Sequence, residues 1–121
     1  MQLRALRGAI TVDRNEADDI LSATEELVRE LLERNGLAAE QLVSCIFTCT
    51  DDLDAAFPAE AARNLGLSSV PLLCTREISV PGALPRVIRL LVHCHTEPEA
   101  VPRHVYLREA VTLRRDLEGA Q

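Results

Sequence analysis

The stretch NEADDILSATEELVRELLERNG, residues 15–36, is the one long helical pattern in a chain that otherwise reads as strands. Ile20, Thr24, Leu27 and Leu31 recur at helical spacing, and Leu21, Val28 and Leu32 widen the stripe. Acidic residues crowd the first turns and Asn35-Gly36 supplies a stop, as the helix dipole and the C-terminal cap favour. The opposite face is charged. The pattern predicts one amphipathic helix lying on a sheet.

The sheet is read from five aliphatic runs. LRALRGAITV (3–12) is a first strand, and Gly8 within it marks a bulge or a close backbone approach. LVSCIFTCT (42–50) is a second, and both of its parities are apolar or small, which predicts cover on both faces. Residues 51–66 form a loop and a short helix, with Pro58 at a first helical position and Gly66 as the stop. VPLLCTREISV (70–80) is a third strand and carries Glu77; PGALP (81–85) is a turn. PRVIRLLVHC (85–94) is the fourth strand, EPEAVP (97–102) a loop, and RHVYLREAVTL (103–113) the fifth strand. RRDLEGAQ (114–121) is a polar tail.

The order β-α-β-α-β-β-β over residues 1–121 predicts a single α+β or α/β sheet domain. One long helix cannot cover a sheet that is apolar on both sides. That deficit predicts self-association, because a monomer would leave an apolar face bare.

Charge and chemistry narrow the function. Thirteen Lys and Arg stand against 19 Asp and Glu, a net charge of −6, so a general nucleic-acid or acidic-membrane binder is excluded. Any anion must be held by a local cluster of Arg. No run reaches the roughly 18 apolar residues that span a bilayer, and the N-terminus has no signal-peptide pattern, so the expected location is the cytoplasm. Cys45, Cys49, Cys74 and Cys94 lie in apolar runs without a C-x-x-C pair, which reads as reduced, buried thiols. No metal site is expected: His93 and His95 share a strand face from which Cys94 points away. Cys74 has no adjacent base to make it a nucleophile, and no phosphate loop or nucleophile elbow occurs.

Charged residues inside strands remain. In VIRLLVHC (87–94), Ile88, Leu90, Val92 and Cys94 form a uniform apolar face, while Arg89, Leu91 and His93 form a mixed one. Arg89 inside that strand is either a structural ion pair, with Glu77 or Glu109 as partner, or part of a site. Arg7 lies in the first strand and Tyr106 in the fifth on the parity of Arg108; Arg63 lies in the short helix, and Arg114 follows the last strand. Guanidinium forks suit planar carboxylates. The set reads as a pocket for a small polyanion carrying a hydroxyl for Glu77.

LRGAITV, FPAEAAR, the strand with Cys74 and Glu77, PGALPRVIRLLV and RHVYLREAVTLR follow one another across residues 3–117. Together they resemble the monofunctional chorismate mutases of the trimeric pseudo-α/β-barrel class. The resemblance implies a mixed five-stranded α+β sheet, with the long and short helices packed on one face, assembling as a homotrimer with sites between subunits. It implies conversion of chorismate to prephenate in aromatic amino-acid biosynthesis, by an intramolecular Claisen rearrangement that needs no cofactor. The alternative is a trimeric small-molecule binding or sensing protein on the same fold; such a protein would be expected to lose Arg89 or Glu77.

By the same resemblance, Arg89 pairs with the ether oxygen and the side-chain carboxylate, which Arg7 and Tyr106 also hold. Glu77 accepts a hydrogen bond from the ring hydroxyl, with Cys74 against that end. Phe57, Ala59 and Leu113 form apolar walls, Leu72 and Leu73 are among the substrate-binding residues, and Arg63 and Arg114 guard the entrance. The segment 57–74 is expected from one subunit and Arg7, Glu77, Arg89 and Tyr106 from its neighbour. Glu60 stands where some relatives carry Lys, and Leu73 replaces a residue that is polar in some. The tail reads Arg-Arg-Asp in place of Arg-Pro-Asp. In the empty site Arg89 is expected to be unpaired by protein.

Overall fold

Helix α1, Ala17–Arg34, forms where the apolar stripe runs, and it buries Ile20, Ala23, Thr24, Leu27, Val28 and Leu31. Asp18 and Asp19 sit in its first turn, where the dipole favours anions. The helix ends at Asn35, and Gly36 adopts φ +59°, the left-handed conformation glycine takes at a C-terminal stop. The Asn35 side chain donates to the carbonyls of Leu31 and Arg103 and accepts from the Arg103 N–H, so the helix end is tied to the approach of the last strand.

The structure, a computed structural model, describes residues 1–114. Besides α1 it contains β1 (Gln2–Thr11), β2 (Leu42–Cys49), α2 (Pro58–Asn64), β3 (Leu72–Arg76), β4 (Val87–Thr96) and β5 (Val105–Leu107), with short 3-10 turns at Ala39–Gln41 and Arg108–Ala110. The strands form one mixed sheet in the order β3-β2-β4-β1-β5. β4 pairs antiparallel with β1 and β2; β5 runs parallel to β1, and β3 parallel to β2.

The core lies between one sheet face and the two helices. Leu6 and Ile10 of β1, Phe47 of β2, and Ile88, Leu90 and Val92 of β4 meet Ile20, Leu27 and Leu31 of α1 and Ala59 and Ala62 of α2. Gly8 is where α1 comes down on the sheet. A Cβ there would stand 3.0 Å from Leu27 Cδ1 and 3.1 Å from the Val105 carbonyl oxygen, so this is the close approach that its position in a strand suggested.

Neither α1 nor α2 lies over the other sheet face. Along β4 burial alternates, with Ile88, Leu90, Val92 and Cys94 buried and Arg89, Leu91 and His93 half-buried. On β2, Ser44, Ile46 and Thr48 are likewise half-buried, so the described residues cover the second face of that strand only in part. A smaller cluster of Ala9, Val87 and Ala110, with Leu84, Tyr106 and Leu113 against it, covers one end.

The strands β3, β4 and β5 depart most from the sequence reading, and β1 and β2 by one residue. β3 spans Leu72–Arg76, not 70–80: it is an edge strand whose one partner among the described residues, β2, ends at Cys49. Glu77 lies just beyond it, with its N–H on the Cys49 carbonyl at 2.8 Å. β5 stops at Leu107 and not at 113, because Arg108 turns the chain with φ +55°. Its guanidinium is anchored on the Thr11 carbonyl and on Glu26, each at 3.1 Å, and residues 111–114 are helical. β4 begins at Val87 and runs to Thr96, after Arg86 at φ +49° with its N–H held by Asp52. The acidic stretch at 51–54 is thus bonded to the fold, and the last seven residues, 115–121, lie outside the described residues.

Candidate active site

Register places the candidate residues in one row on the uncovered face. Thr48 of β2 is opposite Arg89 of β4, Arg89 is opposite Ala9 of β1, and Ala9 is opposite Tyr106 of β5. Residues opposed across neighbouring strands share a face, and a residue two positions along shares it too, which brings in Arg7. Ala9 is the short member of the row, so the sheet dips between Arg89 and Tyr106.

That dip is a cavity of about 360 Å³. Arg7, Thr48, Glu77, Arg89 and Tyr106 give it polar groups, and Ile46, Leu91 and Leu113 give it apolar walls. A pocket of this size, largely apolar with a few convergent polar groups, is of the kind that holds a small molecule. Among the described residues the lining holds two guanidinium groups and one carboxylate, a locally positive set in a chain of net charge −6.

Arg89 is not unpaired. Its Nη1 stands 3.6 Å from Glu77 Oε1, and the two side chains are 33% and 25% exposed. Glu77 reaches it because β2, the strand between, presents Thr48, whose hydroxyl also donates to Glu77 Oε1. At 3.6 Å the guanidinium and carboxylate attract each other without forming the two-point fork such pairs favour. The ion pair weighed for Arg89 is therefore present, and its partner is Glu77 and not Glu109, whose N–H binds Thr11 Oγ1.

Tyr106 and Arg7 complete the polar edge. Burial pushes the Tyr106 hydroxyl up from its usual value, and nearby Arg7 and Arg89 only partly offset this, so it is protonated and able to donate at neutral pH. Arg7 is fixed at its backbone: its N–H donates to His104 Nδ1 at 3.0 Å. Burial and the Arg7 charge hold His104 below its ordinary 6.5, so the imidazole is neutral with Nδ1 free to accept. Sequence reasoning singled out neither Thr48, which lines the cavity, nor His104, which braces the Arg7 backbone. The signal for Thr48 was its register opposite Arg89, which needs the strand order; His104 showed only as part of RHVYL.

The remaining candidates lie elsewhere in the chain. Phe57, 70% exposed at the start of α2, and Cys74 border a second groove of about 670 Å³ with Glu60 and Cys49. Cys74 and Leu72 pack against the helix-covered core, so within one chain Cys74 stands on the face opposite Glu77's cavity. Ala59 is no wall of either pocket: it is 5% exposed and belongs to the core. Arg63 is exposed on α2, Leu73 is 59% exposed on the edge strand, and Arg114 is exposed beside Leu113. The structure thus brings together Arg7, Glu77, Arg89, Tyr106 and Leu113, and leaves the 57–74 group outside that cavity.

Burial pushes the Cys45 and Cys49 thiols up to about 11, which keeps them protonated and unreactive. Among the described residues, no group of three or more His, Cys, Asp or Glu is placed to share a metal ion, and no helix is long and apolar enough to cross a membrane.

Residues 3–117 match the family model for chorismate mutase type I. The chain is 55% identical over 121 residues to the chorismate mutase AroH of Thermus thermophilus, covering 98% of this chain and 99% of that one. It is 40% identical over 119 residues to chorismate mutase AroH of Bacillus subtilis (strain 168), covering 97% and 94%. A chorismate mutase from Clostridium thermocellum superposes with a TM-score of 0.87 at 48% identity, over 90% of this chain and 98% of that chain.

Proposed function

The chain belongs to the chorismate mutase type I family, and from that premise we propose that it converts chorismate to prephenate in the cavity on the uncovered sheet face. The observation that carries the assignment to this cavity is the convergence of Arg7, Glu77, Arg89 and Tyr106 from four parts of the sheet. Chorismate offers two carboxylates, a ring hydroxyl and an ether oxygen, and the side-chain carboxylate, the hydroxyl and the ether oxygen each have a complementary group there.

The reaction is an intramolecular Claisen rearrangement. It moves no proton and forms no bond to the enzyme, so catalysis reduces to shape and charge. The ether C–O bond stretches ahead of C–C bond formation, and negative charge gathers on the ether oxygen. Arg89 is aimed at that oxygen and at the adjoining carboxylate. A cation already in place stabilises the charge that develops in the transition state more than the ground state. Arg7 and the Tyr106 hydroxyl grip the same carboxylate and keep the substrate folded, with its reacting carbons together. Glu77 accepts the ring hydroxyl. Bound substrate displaces water from the half-buried Arg89, which strengthens its field. A rate gain of roughly a million-fold needs about 8 kcal/mol off the barrier, and Arg89 supplies a large part of it.

The working form is a homotrimer. Ile46 and Leu91 are half-buried on the face that α1 and α2 leave open, and Phe57, Cys74 and Arg63 lie outside the cavity of their own chain. A neighbour laid against the open face brings its 57–74 segment over the Arg89 row. Arg63 and Arg114 then meet the ring carboxylate at the entrance, and the neighbour's Phe57, Leu72 and Leu73 close the apolar side. The step belongs to aromatic amino-acid biosynthesis in the cytoplasm. Adding the purified protein to chorismate should abolish the chorismate absorbance and yield prephenate; no loss of absorbance would sink the reading. Light scattering should return three times the chain mass.

A further inference from the structure

We propose that Thr48 is a positioning residue for Glu77, and that through Glu77 it sets how strongly the site reads the substrate's ring hydroxyl; this rests on the mutase reading above. Glu77 lies past the end of β3, which among the described residues is the outermost strand on that side of the sheet. Two bonds hold it. Its N–H is on the Cys49 carbonyl at 2.8 Å, and its Oε1 accepts the Thr48 hydroxyl. Both come from the last two residues of β2, so β2 builds the Glu77 site although Glu77 does not belong to it.

The same hydroxyl governs Arg89. Thr48 and Arg89 are directly opposed across β2 and β4, and Arg89 Nη1 approaches the oxygen that Thr48 already occupies. An Arg and a carboxylate left to themselves close into a two-point fork. By donating to Oε1, Thr48 holds the carboxylate out of that fork and leaves Oε2 as the oxygen to accept the ring hydroxyl. It also leaves Arg89 at 3.6 Å, where the guanidinium can turn to substrate without first breaking a bidentate pair. A threonine serves better than a larger polar residue because its branched side chain is stiff and suits a strand.

The test compares Thr48→Val, which keeps the shape and removes the donor, with Thr48→Ser, which keeps the donor. Each is assayed on chorismate and on a chorismate analogue lacking the ring hydroxyl. Thr48→Val should lose about 10- to 100-fold in kcat/KM on chorismate, the range set by one hydrogen bond to a charged group. Most of the loss should fall in KM, because the bond to the ring hydroxyl is made in ground and transition states alike. The preference for chorismate over the analogue should shrink by the same factor, and Thr48→Ser should stay within about threefold of the parent. Melting midpoints and size in solution identify a variant that is merely misfolded, and Thr48→Ala then takes the place of Val. An active parent with a Thr48→Val variant of unchanged KM and kcat overturns the proposal. So does an equal loss on both substrates, or a Ser variant as poor as Val in a folded protein. A parent inactive on chorismate overturns the mutase reading, a different result.

Discussion

Arg89 carries a permanent charge in a strand whose other face is entirely core, and its place in the Thr48–Arg89–Ala9–Tyr106 row makes it the cation at the centre of the cavity. Removing it should cost about 3–5 kcal/mol of transition-state stabilisation, roughly a hundred- to several-thousand-fold in kcat, since a charged donor outweighs the neutral donors of an oxyanion hole. Arg89→Lys should recover little, because a point charge does not reproduce the planar fork. Steady-state kinetics on chorismate check both, and near-parental kcat in the Ala variant would remove Arg89 from the chemistry. His104 gives a pH signature. Its folded pKa lies below its ordinary 6.5, so the fold binds fewer protons there than the unfolded chain. The contribution is therefore present above about 6.5 and is lost as pH falls below it, when Nδ1 takes a proton and can no longer accept from Arg7. Melting from pH 7.5 down to 5.5 should destabilise the parent more than His104→Ala, and equal slopes would deny the link. Parity alone placed Arg89 on the mixed face correctly. It did not reveal the Glu77 contact, because that contact runs from beyond β3 across β2 to β4, and strand order is a long-range fact.

At the scale of elements, the seat of α1 on the sheet depends on Gly8. The added methyl of Gly8→Ala meets a flexible Leu27 side chain on one side, but on the other it meets the Val105 backbone carbonyl, which cannot swing away. Overpacking of this kind costs about 1–3 kcal/mol, and because Arg7 is the adjacent residue a loss of activity should accompany it. Urea denaturation measures the first and kinetics the second; a variant as stable as the parent would mean that β5 yields freely. The helices, the five strands and their order in the chain were legible because apolar periods of 3.6 and 2 are local signals. The end of β5 was not. R-H-V-Y-L-R-E-A-V-T-L alternates like a strand to residue 113, yet the chain turns at Arg108, where bonds to Thr11 and Glu26 hold a backbone conformation that no local pattern announces. Ala59 gives no local sign either: the FPAEAAR motif names it, and α2 lays that side of its first turn on the core of its own chain.

At the scale of the whole molecule, the candidate residues form two groups that one chain keeps apart: Arg7, Glu77, Arg89 and Tyr106 in the cavity, and Phe57, Arg63 and Cys74 beyond it. The aliphatic surplus of the strands predicts an oligomer, since a sheet with one covered face has to bury the other against something. Which residues would meet across such a contact is not in the periodicity, because opposed subunits leave no spacing in the sequence. Mixing two defective variants decides the matter. Arg89→Ala damages the strand half of a site and Arg63→Ala the helix half. If every site takes its strand half from one subunit and its helix half from the next around a closed ring, each mixed trimer contains one site with both halves intact. Random exchange makes about three quarters of the trimers mixed, so about one quarter of all sites should work, against little activity in either variant alone. Sites complete within one chain would carry a defect in every copy, and exchange would restore nothing. Recovery toward a quarter of parental kcat after co-refolding therefore requires a site shared between neighbours, and its absence places Arg63 outside the site or the whole site within one chain.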